Sequence, residues 1–215
     1  MKPLFFYAGL LAVLAGVHGL SLTAAGPVGV PAPPPAPRAA AGYVGGLIDP
    51  PLPKPRFTLT DTAGAPFDFW ARTQGYVTLL FFGYTSCPDQ CPLHLENVAM
   101  GLKKLPVQFQ DRIKLVFVTT DPARDEPHVL RVWLRHFDAR FIGLTGTDAA
   151  LEAAQRAAGL PPARKTPRAG SDYAVGHANV VLAYSKDNLA HLMYPGGVSR
   201  QDWIHDLPLL VNETW

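Results

Sequence analysis

The chain is 215 residues long, enough for one domain of moderate size with appendages. Its composition, 48% hydrophobic against 17% charged, is globular and excludes a wholly disordered chain. A net charge of +2 without a basic block argues against a nucleic-acid partner, and two cysteines are too few for a disulfide scaffold.

Lys2 is the only charged residue before Arg38, and Leu4–Leu22 is apolar except for His18 and Ser21. A helix over that run spans about 28 Å, close to the roughly 30 Å hydrocarbon core of a bilayer. Residues 1–25 therefore read as a single-pass anchor in the cytoplasmic membrane, with everything downstream on the extracytoplasmic side. A cleaved signal peptide is the alternative, because Thr23, Ala24 and Ala25 are small enough for a cleavage site. Residues 26–46, Pro/Ala-rich over Pro27–Pro37 and flexible over Ala39–Gly46, read as a semi-extended linker.

Residues 47–215 read as the folded domain. Phe57–Thr60 and Phe67–Phe69 flank a turn at Asp61–Pro66 and suggest a hairpin. Tyr76–Tyr84 (YVTLLFFGY) and Ile113–Thr120 (IKLVFVTT) are continuous apolar runs of the kind buried in a central sheet. Helices are expected from the cysteines to about Leu105, over Glu126–Phe137, over Asp148–Ala158 behind Thr147, and from Ser199 to about Leu210. Phe141–Leu144 is a short strand, Leu160–Gly176 reads as a long polar loop, and Ala178–Tyr184 with Leu189–Tyr194 forms a hairpin. Strands alternating with helices, then a hairpin and a closing helix, imply a layered α/β domain with a mixed sheet.

The chemistry concentrates in Gly83–Pro92 (GYTSCPDQCP), which holds both cysteines, Cys87 and Cys91, between a buried strand and a helix. Four residues apart on a helical turn, the sulfurs share one face. Free backbone N–H groups and the positive end of the helix dipole favour thiolate there. Thiolates select soft Cu(I) and are also the reactive form in disulfide exchange, so the pair fits a metal site, a redox couple or an inert local disulfide. Among the histidines, His94 lies three residues after Cys91, while His128, His136, His191 and His205 read as surface or packing residues. His177 stands apart, closing the long loop between Gly176 and Ala178 just before a strand. Asp121 at a strand end reads equally as a turn residue or as support for the site. Asp89 reads as a helix-end charge, Arg124 and Asp125 as partners of each other or a cap, and Met100 and Met193 as core filler.

GYTSCPDQCP, TTDPARD (Thr119–Asp125) and YAVGHAN (Tyr173–Asn179) resemble, in that order, the three signature segments of the Sco/SenC family. These are membrane-anchored, thioredoxin-like proteins involved in assembling cytochrome c oxidase. The resemblance covers about Phe57 to Leu210. It implies a thioredoxin-like mixed sheet with flanking helices and an inserted hairpin, and copper binding by Cys87, Cys91 and His177. It also implies receipt of copper from an upstream donor and delivery to the binuclear copper site (CuA) of oxidase subunit II. The rival readings are a thiol-disulfide reductase that keeps the subunit II cysteines reduced, and a thiol peroxidase. Gly176 and Ala178 stand where the family usually has an acidic and a small hydroxyl residue. Losing a hydrogen bond that orients the imidazole would weaken metal affinity by about 10–100-fold.

Overall fold

The computed structural model describes residues 42–168, 170, 172–213 and 215. The expected anchor or signal peptide (1–25) and residues 26–41 of the expected linker (26–46) lie outside the described residues. Among the described residues no helix is long and apolar enough to cross a membrane.

In chain order the elements begin with β1 (Gly46–Pro53), β2 (Thr58–Asp61), β3 (Pro66–Asp68), α1 (Phe69–Thr73) and β4 (Val77–Gly83). There follow α2 (Gln90–Leu102), α3 (Val107–Gln110), β5 (Ile113–Thr119), α4 (Pro127–Arg135), β6 (Ile142–Thr145) and α5 (Asp148–Ala157). The chain continues through β7 (Arg164–Pro167), β8 (Tyr173–Gly176), β9 (Val180–Tyr184), β10 (Leu189–Pro195) and α6 (Arg200–Asn212).

Eight strands form one mixed sheet in the order β1-β10-β9-β4-β5-β6-β2-β3. At its centre β4 and β5 run parallel, from Val77 opposite Ile113 to Gly83 opposite Thr119, while β9 lies antiparallel on the other side of β4. All seven residues of β4 are buried, as a strand covered on both faces requires. Its side chains alternate between two cores. Val77, Leu79 and Phe81 join Leu95, Val98, Trp203 and Leu207 of α2 and α6, whereas Leu80 and Phe82 join Leu151 and Ala154 of α5. Thr147 and Ser199 cap α5 and α6 as expected, Ser199 within a capping box completed by Asp202.

Four stretches depart from the sequence-based expectation. Leu160–Gly176 is not all loop: β7 and β8 form a separate antiparallel ribbon, with Arg164 opposite Gly176 and Pro167 opposite Tyr173. Every residue of β7 is exposed, so backbone pairing holds the ribbon without the apolar alternation that would announce it. The edge strand β1 was hidden by Pro50, Pro51 and Pro53, which an edge tolerates because one side of its backbone has no partner. The short helices α1 and α3 are too brief for periodicity to reveal.

Two buried charges also hold the fold. Lys54 is 3% exposed, and its ammonium donates to the Thr73 carbonyl (3.0 Å) and Thr78 Oγ1 (3.3 Å); burial lowers its pKa to about 8. The buried Asp206 carboxylate of α6 accepts from the backbone N–H groups of Val44 and Gly45 and from the Tyr194 hydroxyl, each at 3.0 Å. Beside it the Tyr43 hydroxyl donates to Glu213 Oε2 (3.1 Å), and the Tyr43 ring stacks on Trp215 at 5.7 Å between centroids.

Candidate metal centre

The central strand β4 ends at Gly83, and the turn that follows carries Cys87 before α2 opens at Gln90. Cys91 therefore falls in the first helical turn and is fully buried, while Cys87 is half-buried. Asp89 makes no side-chain cap. The Cys87 sulfur takes that place, accepting from the Cys91 backbone N–H at 3.4 Å. Gly83 makes room for the pair. A Cβ there would lie 2.9 Å from Cys91 Sγ and 2.9 Å from the Phe117 ring.

His177 enters from the segment between β8 and β9. Its Nε2 lies 3.4 Å from Cys91 Sγ, and one ligand atom from each of Cys87, Cys91 and His177 lies within 4.8 Å of the other two. Among the described residues this is the one such group of three. The Tyr84 and Phe81 rings meet the imidazole edge-on at 5.7 Å and 6.1 Å between centroids. The His177 Nδ1 lies 3.1 Å from the Ala178 carbonyl. In the tautomer with the proton on Nδ1 that carbonyl accepts it, and the Nε2 lone pair is then free to face the sulfurs. The orienting hydrogen bond expected to be missing beside Gly176 and Ala178 is thus supplied by the backbone.

The two sulfurs differ in acidity. The Cys91 thiol donates to the Cys87 sulfur and, against the cost of burial, holds the Cys87 pKa far below the usual thiol range; the Cys91 and Asp89 backbone N–H groups assist. Cys91 is pushed the other way by that same bond and by its burial. The pair therefore gives up its first proton at Cys87 more readily than its second at Cys91. A soft cation entering the site would displace that proton, and the donor set of two sulfurs and an imidazole suits Cu(I).

A buried carboxylate braces the cysteine turn. Asp125 is fully buried and accepts from Thr85 N (3.0 Å), Thr85 Oγ1 (2.6 Å) and Thr119 Oγ1 (2.6 Å). It neither pairs with Arg124 nor caps α4, contrary to expectation. Arg124 instead pairs with Asp121, which also accepts from the Tyr173 hydroxyl at 2.7 Å and has Lys165 at 3.6 Å. Arg124 lies over the Tyr173 ring at 4.0 Å, so Asp121 sits in a polar cluster joined to β8. His94 is buried in α2 against Phe81 and lies outside the three-residue group. His191 pairs with Asp187 (2.8 Å) and stacks on Trp215, and His128, His136 and His205 are exposed. Met193 packs against the α5-side core and Met100 is half-buried in α2. The braces at Thr85, Thr119 and Asp125 were not legible as a site; the one signal was that Thr119 and Asp125 lie in TTDPARD.

The SCO1/SenC family model matches residues 48–212. The chain belongs to the SCO1/SenC family. A Stutzerimonas stutzeri protein named for copper binding is 39% identical over 133 residues, covering 62% of this chain and 64% of its own length. The apo Sco1 protein of Thermus thermophilus is 31% identical with a TM-score of 0.70, over 78% of this chain and 96% of that one. The copper-bound ScoI of Bradyrhizobium japonicum is 27% identical with a TM-score of 0.63, over 74% and 99%. The domain thus has the thioredoxin-like mixed α/β fold of solved Sco structures, with the separate β7–β8 ribbon preceding His177.

Proposed function

We propose that the chain is a copper metallochaperone that holds copper through Cys87, Cys91 and His177. It delivers the ion to the CuA site of cytochrome c oxidase subunit II. The observation that carries this reading is the convergence of two sulfurs and one imidazole nitrogen within 4.8 Å. The copper bound to the Bradyrhizobium relative supports the choice of metal. Two thiolates and an imidazole make a three-coordinate Cu(I) site with an open side. A thiolate of the recipient can enter there, and Cys87, the more exposed sulfur, is the first to be replaced. Residues 1–25 anchor the domain at the outer face of the cytoplasmic membrane, where an upstream donor loads it.

The test is anaerobic Cu(I) titration of the reduced full-length chain, followed by transfer to apo subunit II. One copper per chain is expected, with affinity at least about tenfold weaker in His177→Ala. No binding, or an unchanged affinity in that variant, would overturn the reading.

A second reading is favoured by the asymmetry between a half-exposed Cys87, whose pKa is lowered, and a buried Cys91, whose pKa is raised. As a thiol-disulfide reductase, Cys87 attacks a disulfide of subunit II and releases one thiolate. Cys91 then attacks Cys87, leaving a Cys87–Cys91 disulfide and a fully reduced substrate. Oxidase assembly that survives His177→Ala but fails in Cys87→Ser and Cys91→Ser would select this reading.

A further inference from the structure

The segment that carries His177 is held to α2 by more than its own ring. Asn179, two residues on, donates from Nδ2 to Gln90 Oε1 at 3.2 Å, and its carbonyl accepts from Gly196 N at 3.0 Å. Gln90 directly precedes Cys91. The fit at Asn179 is close, since a Cβ on Gly196 would lie 2.1 Å from Asn179 Nδ2 and 3.0 Å from Gln90 Oε1.

The other end of the same amide is left unsatisfied. Asn179 Oδ1 is buried without a hydrogen bond, and so are both ring nitrogens of His94, one turn beyond Gln90 on α2. Orphaned buried groups cost free energy, and these two are complementary because an amide oxygen accepts what an imidazole N–H donates. Burial lowers the His94 pKa, and Asn179 acts in the opposite sense, as an acceptor beside the ring N–H does.

We propose that Asn179 is a positioning residue whose side-chain amide bridges Gln90 and His94 of α2, on either side of Cys91, and so holds the His177 segment against the cysteines. The bridge needs Gly196, because any larger residue there displaces the amide. Its role in copper binding rests on the function proposed above, whereas its role in fixing His177 does not.

The test compares Asn179→Ala, Gly196→Ala and His94→Phe with wild type in the reduced full-length chain. His94→Phe keeps a ring against Phe81 while removing the N–H. The copper-free readout is the rate at which diethyl pyrocarbonate modifies His177, mapped by peptide mass spectrometry. Loss of one hydrogen bond is expected to raise that rate about fivefold in each variant. The copper readout is Cu(I) affinity by chelator competition together with the thiolate-to-Cu(II) charge-transfer band. An affinity loss of about 10–100-fold and a shifted band are expected. His177 modification within twofold of wild type in the variants that fold would overturn the bridge, whatever copper does. A wild-type chain that binds no copper would overturn the proposed function and leave the bridge to be decided by the His177 rate alone.

Discussion

Replacing Asp125 with alanine removes an acceptor that three donors share: Thr85 N, Thr85 Oγ1 and Thr119 Oγ1. Each buried donor left unpaired costs about 1–3 kcal/mol, while deletion of the carboxylate relieves the burial penalty that raises its pKa. Thr119 Oγ1 keeps one bond in any case, accepting from Asp121 N at 2.9 Å. The balance is a destabilisation of about 3 kcal/mol. Asp125→Asn should cost only about 1 kcal/mol, because its carbonyl still takes the Thr85 N–H and its NH2 can donate to a threonine hydroxyl that turns to receive it. Urea unfolding of the reduced, metal-free chain at neutral pH gives both values, read as a shifted midpoint with an unchanged slope. The alanine variant should also expose Cys87 to faster alkylation, because Thr85 ties down the turn that carries it. An alanine cost below about 0.5 kcal/mol, or equal costs for the two variants, would refute the brace.

Gly83→Ala forces a methyl between Cys91 Sγ and Phe117, both in the core, and overpacking of this kind costs about 1–3 kcal/mol. It should weaken Cu(I) binding as well, and a variant with wild-type stability and affinity would show that the contact is slack. Lys54, lowered to about 8 when folded from 10.5, binds fewer protons in the folded than in the unfolded chain between those values. Stability should therefore rise with pH from about 8 toward 10, by about 2 kcal/mol once solvent screening is allowed for. Lys54→Met should abolish that rise, so parallel slopes for the two chains would refute the assignment.

How much of this was legible follows from how each feature is encoded. Leu79, Phe81, Leu115 and Phe117 announce a central sheet because burial on both faces writes itself as an unbroken apolar run. Cys87 and Cys91 were legible through their spacing and their place between strand and helix. His177 stood out only through its loop position and the YAVGHAN segment, since nothing local says which strand end lies 3.4 Å from Cys91. Arg164–Pro167 and Gly46–Pro53 were illegible as strands because backbone pairing at an exposed edge leaves no apolar pattern. Lys54, Asp125 and Asp206 look like ordinary surface charges in sequence. Their burial is decided by partners 19, 40 and 162 positions away.

The fastening of Tyr43 to Glu213 and Trp215, with Asp206 gripping Val44 and Gly45, makes the described domain nearly a ring. A short peptide could join residue 215 to residue 43, and the chain could be reopened in the exposed turn at Ala63–Gly64. Such a circular permutant would leave the cysteine turn, the His177 segment and their braces uncut. The order in which the chain presents its parts would then be separable from the geometry that brings two sulfurs and an imidazole together.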